Sequence, residues 1–136
     1  MIVDDSSEFR KTVRGYLEKQ DLRTEILEAN SGEMAIAMAI EEKPEIIIMD
    51  VWLPHLNGMD AAERIKNEKI NTHIIIVTMF DTEEFKKSYR KNHIVDFIGK
   101  VELYDRLMPL IHKCLKERRS GRDHPNKNVS RNPSCN

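Results

Sequence analysis

The stretch EIIIMD, residues 45–50, is the most informative strand in this sequence. Its apolar residues follow one another without alternating polar ones, which is typical of a strand buried on both faces of a parallel sheet. Four further strand-like runs are residues 1–3 (MIV), 24–29 (TEILEA), 73–79 (HIIIVTM) and 94–99 (IVDFIG). Parallel strands need long connections, so helices are expected between them.

Segments with helical spacing of apolar residues do alternate with these strands. The predicted helices are residues 6–20, 31–43, 59–69, 82–92 and 102–117. Ser6 or Ser7 is a suitable N-cap for the first helix, and Pro109 is expected to kink or delay the last. The sequence therefore predicts a doubly wound α/β domain, with a five-stranded parallel sheet covered by helices on both faces.

The length of 136 residues fits one such domain followed by a tail. We predict a domain over residues 1–118 and a flexible basic tail or linker over residues 119–136, because the end of the chain lacks apolar periodicity. Residues 113–136 carry a net charge of +5, against −6 for residues 1–112. A basic tail is compatible with nucleic-acid binding, but scattered charges without aromatic residues favour a solvated linker.

Membrane and disulfide-rich classes are disfavoured by the sequence. No apolar run approaches the roughly 20 residues that cross a bilayer. Cys114 and Cys135 lack the spacing of a zinc site or a disulfide framework, so neither receives a role. We expect a soluble, cytoplasmic protein.

Polar residues follow the predicted strands at the ends where α/β sheets bind their ligands. Asp4 and Asp5 follow the first strand, and Asp50 ends the third. Thr78 lies near the end of the fourth, and Lys100 follows the fifth. Each has an ordinary explanation alone, such as a helix cap, a loop residue, a β-branched strand residue or a surface lysine. Their joint placement at one edge favours a functional site.

The chemistry of this set indicates a metal-assisted phosphoryl site. Three crowded carboxylates raise one another's pKa unless a cation relieves the repulsion. Oxygen ligands with room for water suit Mg²⁺ better than zinc. A lysine and a hydroxyl beside the cation could neutralise phosphoryl oxygens, and a carboxylate can act as nucleophile to give an acyl phosphate.

Four motifs carry a resemblance to a known family, over roughly residues 1–118. They are IVDD (2–5), IIIMDVWLPHLNGMD (46–60), IIIVTMF (74–80) and DFIGK (96–100). Together and in this order they resemble the receiver domains of response regulators in two-component signalling. The resemblance implies a flavodoxin-like sheet with strand order 2-1-3-4-5.

The resemblance also implies a phosphorylation reaction. Asp50 would accept a phosphoryl group from a phosphohistidine of a sensor histidine kinase or phosphotransfer protein. Mg²⁺ would be bound by Asp5, Asp50 and the backbone carbonyl of Trp52, with Asp4 acting mostly through metal-bound water. The protein would then be a regulatory phospho-acceptor that assists its own phosphorylation and dephosphorylation, rather than an enzyme acting on a separate substrate.

By the same likeness, Thr78 and Lys100 would bind the phosphoryl oxygens. Phe97 matches the aromatic switch residue that follows the inward movement of Thr78. Phosphorylation would be reported at the face formed by the fourth predicted helix, the fifth strand and the fifth predicted helix. Trp52 and Phe80, each two residues after a site residue, are expected to gate water access; the alternative is that they serve a partner surface.

The chain departs from the usual family pattern in three places. Only three residues precede Asp4, so strand one looks clipped. Val101 stands where many relatives have a proline, and Met79 replaces a small residue beside Thr78. Crowding by Met79 is expected to make switching less pronounced.

Two alternatives to a phosphorylated switch are open. One is a constitutive protein-binding module that is never phosphorylated; the other is the receiver portion of a DNA-binding transcription factor. Residues 117–136 hold no helix-turn-helix pattern, so we expect no nucleic-acid binding by this chain alone and no membrane contact. We expect a monomer before phosphorylation, with dimerisation on activation left open. The sequence does not specify the cognate kinase or the downstream effector.

Overall fold

The computed structural model describes residues 1–79, 83, 84, 87 and 96–123, with side chains as far as residue 118. Five strands form one parallel sheet in the order β2-β1-β3-β4-β5. They are β1 (Ile2–Val3), β2 (Glu28–Ala29), β3 (Ile46–Asp50), β4 (His73–Thr78) and β5 (Asp96–Gly99). The predicted α/β fold class and the strand order are confirmed.

Four helices connect or follow the described strands: α1 (Ser7–Glu18), α2 (Gly32–Glu42), α3 (Gly58–Asn67) and α4 (Leu103–Asp123). A 3-10 turn, Lys100–Glu102, joins β5 to α4. Helix α4 corresponds to the fifth predicted helix, residues 102–117. The fourth predicted helix, residues 82–92, lies mostly outside the described residues. No helix in the described part of the chain is long and apolar enough to cross a bilayer.

The sheet separates two apolar layers, which explains the continuous hydrophobic run of β3. Ile47 and Met49 pack with α2 and α3 on one face, whereas Ile48 packs with α1 and α4 on the other. Successive side chains of a strand point to opposite faces. A strand covered on both faces therefore needs an apolar residue at every position.

Local signals determine where the helices begin and end. Ser6, Ser31 and Asn57 are the N-caps of α1, α2 and α3, and each side chain accepts a hydrogen bond from a backbone N–H three residues on. Helix α2 ends at Glu42, and its C-cap Lys43, whose backbone is left-handed (φ 48°), lies directly before Pro44. Of the two predicted N-caps of α1, Ser6 and Ser7, the structure selects Ser6, and the predicted end of α2 before Pro44 is confirmed.

Two elements differ in length from the prediction. Strand β2 has two residues instead of six, because its neighbour β1 offers only two partners, Ile2 and Val3. Helix α4 runs through Asp123, so residues 119–123, which the prediction assigned to the tail, are helical. Within this helix, Arg118 donates to the Asn71 carbonyl oxygen at 2.5 Å. Pro109 lies inside α4 and does not delay its start at Leu103. The extent of the domain beyond this helix stays a prediction.

Candidate functional site

An acidic cluster lies at the carboxyl edge of the sheet. Carboxylate oxygens of Asp4, Asp5 and Asp50 lie within 4.8 Å of one another. Asp4 directly follows β1 and Asp50 ends β3, and these strands are neighbours, with Val3 opposite Met49. The strand order thus brings together residues that are about 45 positions apart in the chain.

Lys100 completes the cluster from the other side. Its Nζ lies 3.2 Å from Asp4 Oδ2 and 3.3 Å from Asp50 Oδ2. Three carboxylates and one ammonium give the group a formal charge of −2. A divalent cation would neutralise this charge, and the all-oxygen donor set suits Mg²⁺.

The two adjacent aspartates have different surroundings. Asp4 is buried, with Oδ1 accepting from the Ser6 N–H at 2.8 Å and Oδ2 accepting from Lys100. Asp5 is exposed and belongs to the same cluster. Asp5 is therefore the member of the pair whose carboxylate is open to a ligand from solvent.

Burial dominates the electrostatics of Asp50, whose side chain is 6% exposed. Burial and the nearby Asp4 raise the pKa of Asp50 to about 6, against the opposing effects of Lys100 and of the Trp52 N–H, which donates to Oδ1 at 3.3 Å. Burial lowers the pKa of Lys100, but attraction to Asp50 and Asp4 outweighs it and raises the pKa overall. At neutral pH the site therefore holds an ionised carboxylate beside a charged ammonium.

Thr78 lies on β4, the neighbour of β3, and Phe97 lies on β5, the neighbour of β4. Thr78 ends β4 and is fully buried, one residue beyond Val77, which pairs with Asp50. Phe97, in β5, is buried in the layer that contacts α2 and α3. The structure thus brings Asp4, Asp5, Asp50, Thr78 and Lys100 to one edge, as predicted, and their roles stay predictions.

Exposed apolar side chains at this edge include those of Trp52, Met79 and Val101, which directly follows Lys100. Trp52 is 57% exposed and Met79 is 62% exposed. Phe80, the second residue predicted to gate water, lies outside the described residues. Gating by Trp52 and Phe80 is therefore still a prediction.

Gly58, which the sequence analysis quoted only as part of the motif of residues 46–60, has a structural role. Its N–H donates to the Val51 carbonyl oxygen at 2.8 Å, and a Cβ at this position would overlap the Asp50 carbonyl oxygen. Only glycine permits this approach of α3 to the strand end. The signal in the sequence is the Asn57–Gly58 pair at the start of a helix.

Two residues of α1 also reach the site and were not predicted to do so. The Phe9 ring lies below Lys100, with Nζ 4.2 Å from the ring centroid. Arg10 Nη1 donates to the Asp4 carbonyl oxygen at 2.7 Å, and Arg10 Nε donates to Glu28 Oε1 at 3.1 Å. In the sequence Phe9 is one of several apolar residues on a helical face, so no local pattern marks its contact with a residue 91 positions away.

Comparison with known proteins agrees with this arrangement. The family model described as "response regulator receiver domain" matches residues 1–112. The chain is 34% identical over 115 residues to YxjL of Bacillus subtilis, an uncharacterized transcriptional regulatory protein; the match covers 85% of this chain and 53% of YxjL. It is 31% identical over 117 residues to Protein PilH of Pseudomonas aeruginosa, covering 85% of this chain and 95% of PilH.

A solved structure shows the same fold. The response regulator domain of Thermotoga maritima CheB is 29% identical with a TM-score of 0.71, covering 85% of this chain and 91% of that one. The chain spans only about half the length of YxjL, so what YxjL does as a whole is a property of that protein. On the match to residues 1–112 and the shared sheet topology, the chain belongs to the receiver domains of two-component response regulators.

Proposed function

We propose that this receiver domain is a phosphorylation-dependent signalling switch whose phospho-acceptor is Asp50. The observation that supports this most directly is the buried Asp50 carboxylate, held 3.3 Å from Lys100 beside two further aspartates. The donor would be a phosphohistidine of a sensor histidine kinase or phosphotransfer protein. We place the protein in the cytoplasm, in line with cysteines that lack disulfide spacing.

Asp5, Asp50 and the Trp52 backbone carbonyl would hold Mg²⁺ in this proposal, with Asp4 acting through water. The indirect role of Asp4 is supported by its two oxygens, which already accept from Ser6 and Lys100. When bound, the cation would neutralise charge on the phosphoryl oxygens.

The phosphoryl transfer itself uses side chains of this domain. An oxygen of Asp50 forms a bond to phosphorus while the bond from phosphorus to the imidazole nitrogen breaks, and the bonding electron pair stays on that nitrogen. The product is an acyl phosphate on Asp50. Lys100 pairs with a phosphoryl oxygen, and the Thr78 hydroxyl donates to another.

The signal would leave the site through Thr78 and Phe97. Movement of Thr78 toward the phosphoryl group vacates space that the Phe97 ring then occupies. The output face would comprise the fourth predicted helix, β5 and α4. Exposed Met79, next to Thr78, is expected to limit this movement.

A mass measurement tests the phospho-acceptor. The chain is incubated with acetyl phosphate and Mg²⁺ and its intact mass is followed. We expect a gain of one phosphoryl group, absent in Asp50→Asn and absent when Mg²⁺ is chelated. Asp60→Asn, an exposed aspartate in the first turn of α3, is the matched control and should gain the group normally.

The same measurement separates the switch from a constitutive binding module. A module that is never phosphorylated would show no mass gain in any variant. An equal gain in the wild type and in Asp50→Asn would contradict the assignment of Asp50.

A further inference from the structure

The Phe9 ring is the feature of the site for which the proposed reaction has no role so far. Lys100 Nζ lies 4.2 Å from its centroid, well inside the roughly 6 Å over which an ammonium is attracted to an aromatic face. The Lys100 side chain is 21% exposed, so its charge is only partly hydrated. An attraction to a π face is stronger for a partly desolvated cation than for a fully hydrated one.

Phe9 is held in place by the start of α1. Its backbone N–H donates to the Ser6 side chain, the N-cap of the helix, at 3.2 Å. Its ring is half-buried against the apolar layer between the sheet, α1 and α4. The ring is therefore supported from behind while its face lies against Lys100.

The ring and the carboxylates together surround the ammonium. Asp4 and Asp50 accept hydrogen bonds from Nζ, and Phe9 contacts the same atom from α1. A lysine stem has four rotatable bonds, and holding it in one geometry costs conformational entropy. Side chains that hold the ammonium before phosphorylation reduce the reorganisation needed during the reaction.

We propose that Phe9 is a positioning residue for Lys100, holding the ammonium beside Asp50 through a cation–π contact so that it is in place to pair with the phosphoryl group. The inference rests on the proposed function, because it assigns Phe9 a role through Lys100. The contact itself exists in the unphosphorylated protein, so it can be tested separately from the reaction.

The first experiment measures initial rates of phosphorylation by acetyl phosphate at saturating Mg²⁺, using the intact mass of the full chain. We expect Phe9→Leu to lower the rate about fivefold, equivalent to roughly 1 kcal/mol. Phe9→Tyr, which keeps an aromatic face, should react at close to the wild-type rate. Leucine keeps an apolar side chain but has no π face. Tyr16→Leu, on the same helix and in the same apolar layer, is the control for lost packing and should leave the rate unchanged.

The phosphorylation rates with Phe9 and with Phe9→Leu are then compared in a Lys100→Gln background. If Phe9 acts through the ammonium, Phe9→Leu should have no further effect on the rate there. An equal fivefold loss with and without Lys100 would mean that Phe9 acts by packing, and would overturn the inference. A Phe9→Leu rate equal to the wild-type rate would overturn it as well.

The second experiment uses NMR of the unphosphorylated protein and needs no reaction. An aromatic face shifts the Lys100 ε-methylene protons upfield, and this shift should be lost in Phe9→Leu and kept in Phe9→Tyr. Unshifted protons in the wild type would refute the contact. Failure of the wild type to become phosphorylated, with the upfield shift present, would instead refute the proposed function and leave the contact established.

Discussion

At the scale of single residues, the site shows how charge and burial are balanced. Asp50 is held in a buried position that raises its pKa to about 6, and Lys100 partly offsets that effect. The remaining excess of negative charge is what a divalent cation would neutralise. The same residues that make the site costly to fold therefore make it able to bind a cation and an anionic phosphoryl group.

Trp52 leads to a prediction about the lifetime of the phosphorylated state. Hydrolysis needs water in line with the bond that breaks, so bulky side chains at the rim should slow it. We expect Trp52→Asn combined with Phe80→Ser to accelerate dephosphorylation about tenfold, equivalent to roughly 1.4 kcal/mol. The decay of the phosphorylated protein, timed by mass spectrometry, is the measurement.

A control for this prediction is Ile40→Asn on α2, which removes another exposed apolar side chain. Its half-life should equal that of the wild type. Equal half-lives for the wild type and the double mutant would exclude gating by these aromatic residues.

At the scale of elements, two glycines in helices should respond oppositely to the same substitution. A Cβ at Gly58 meets the Asp50 backbone, whereas a Cβ at Gly15, in the middle of α1, meets nothing within 4 Å. We expect Gly58→Ala to lower the free energy of unfolding by about 1–3 kcal/mol, and Gly15→Ala to raise it by roughly 0.5–1 kcal/mol.

Urea denaturation measures both free energies. Because Gly58 lies against Asp50, its substitution should also reduce the extent of phosphorylation. A Gly58→Ala protein as stable as Gly15→Ala would show that α3 can move away from β3 without cost.

Helix α1 is tied to β2 by a charged network. Glu28 accepts from Arg10 at 3.1 Å and from Arg14 at 2.7 Å, and Arg10 also holds the Asp4 carbonyl oxygen. The hydrogen bond from Arg14 lowers the pKa of Glu28 below its ordinary value of 4.5, with Arg10 adding to the effect and burial opposing it. This network connects the loop that carries Asp4 to β2 at the edge of the sheet.

The direction of this pKa shift predicts the pH dependence of stability. A lowered folded-state pKa means that Glu28 stabilises the fold above about pH 4.5, and that this contribution is lost as the pH falls through the lower, folded-state value. The groups are partly exposed, so we expect Glu28→Gln to cost only about 1 kcal/mol at pH 7. Below the folded-state pKa, the two proteins should converge.

Unfolding free energies measured in urea at pH 7 and at successively lower pH values test this prediction. Glu25→Gln, an exposed carboxylate three residues earlier in the chain, is the matched control and should show little difference at any of these pH values. A Glu28→Gln deficit that persists at low pH would point to packing rather than charge.

At the scale of the whole molecule, the sheet divides the core into two layers, and none of the helices α1 to α4 contributes to both of them. Ile65, on α3, belongs to one layer, and Ile111, on α4, belongs to the other. We expect Ile65→Val and Ile111→Val each to cost about 1 kcal/mol. Because the sheet lies between the two sites, the double mutant should cost the sum.

Denaturant titrations of the two single mutants and the double mutant measure this additivity. A double mutant that deviates from the sum by more than about 0.5 kcal/mol would show that the layers are coupled through the sheet. Ile65 and Met59 both lie in α3 and in one layer. Substituting these two together provides a comparison in which the changes in unfolding free energy are not expected to add.

The α/β fold could be predicted from the sequence because periodicity is a local property. The run of residues 45–50 indicated a strand buried on both faces, and the structure packs Ile47 and Ile48 into opposite layers. Capping of α1 by Ser6 or Ser7 and the end of α2 before Pro44 were likewise predictable, since each depends on a few neighbouring residues. The placement of Asp4, Asp50 and Lys100 at one edge followed from the rule that parallel strands end together.

Only the tertiary structure decided the features that depend on distant partners. Strand β2 pairs with its neighbour β1 over two residues, and α4 continues beyond residue 118 to Asp123. The contact of Phe9 with Lys100 joins residues on α1 and after β5 that no local pattern relates. Local spacing determines which elements form, whereas burial and partner geometry determine where they stop and which side chains meet.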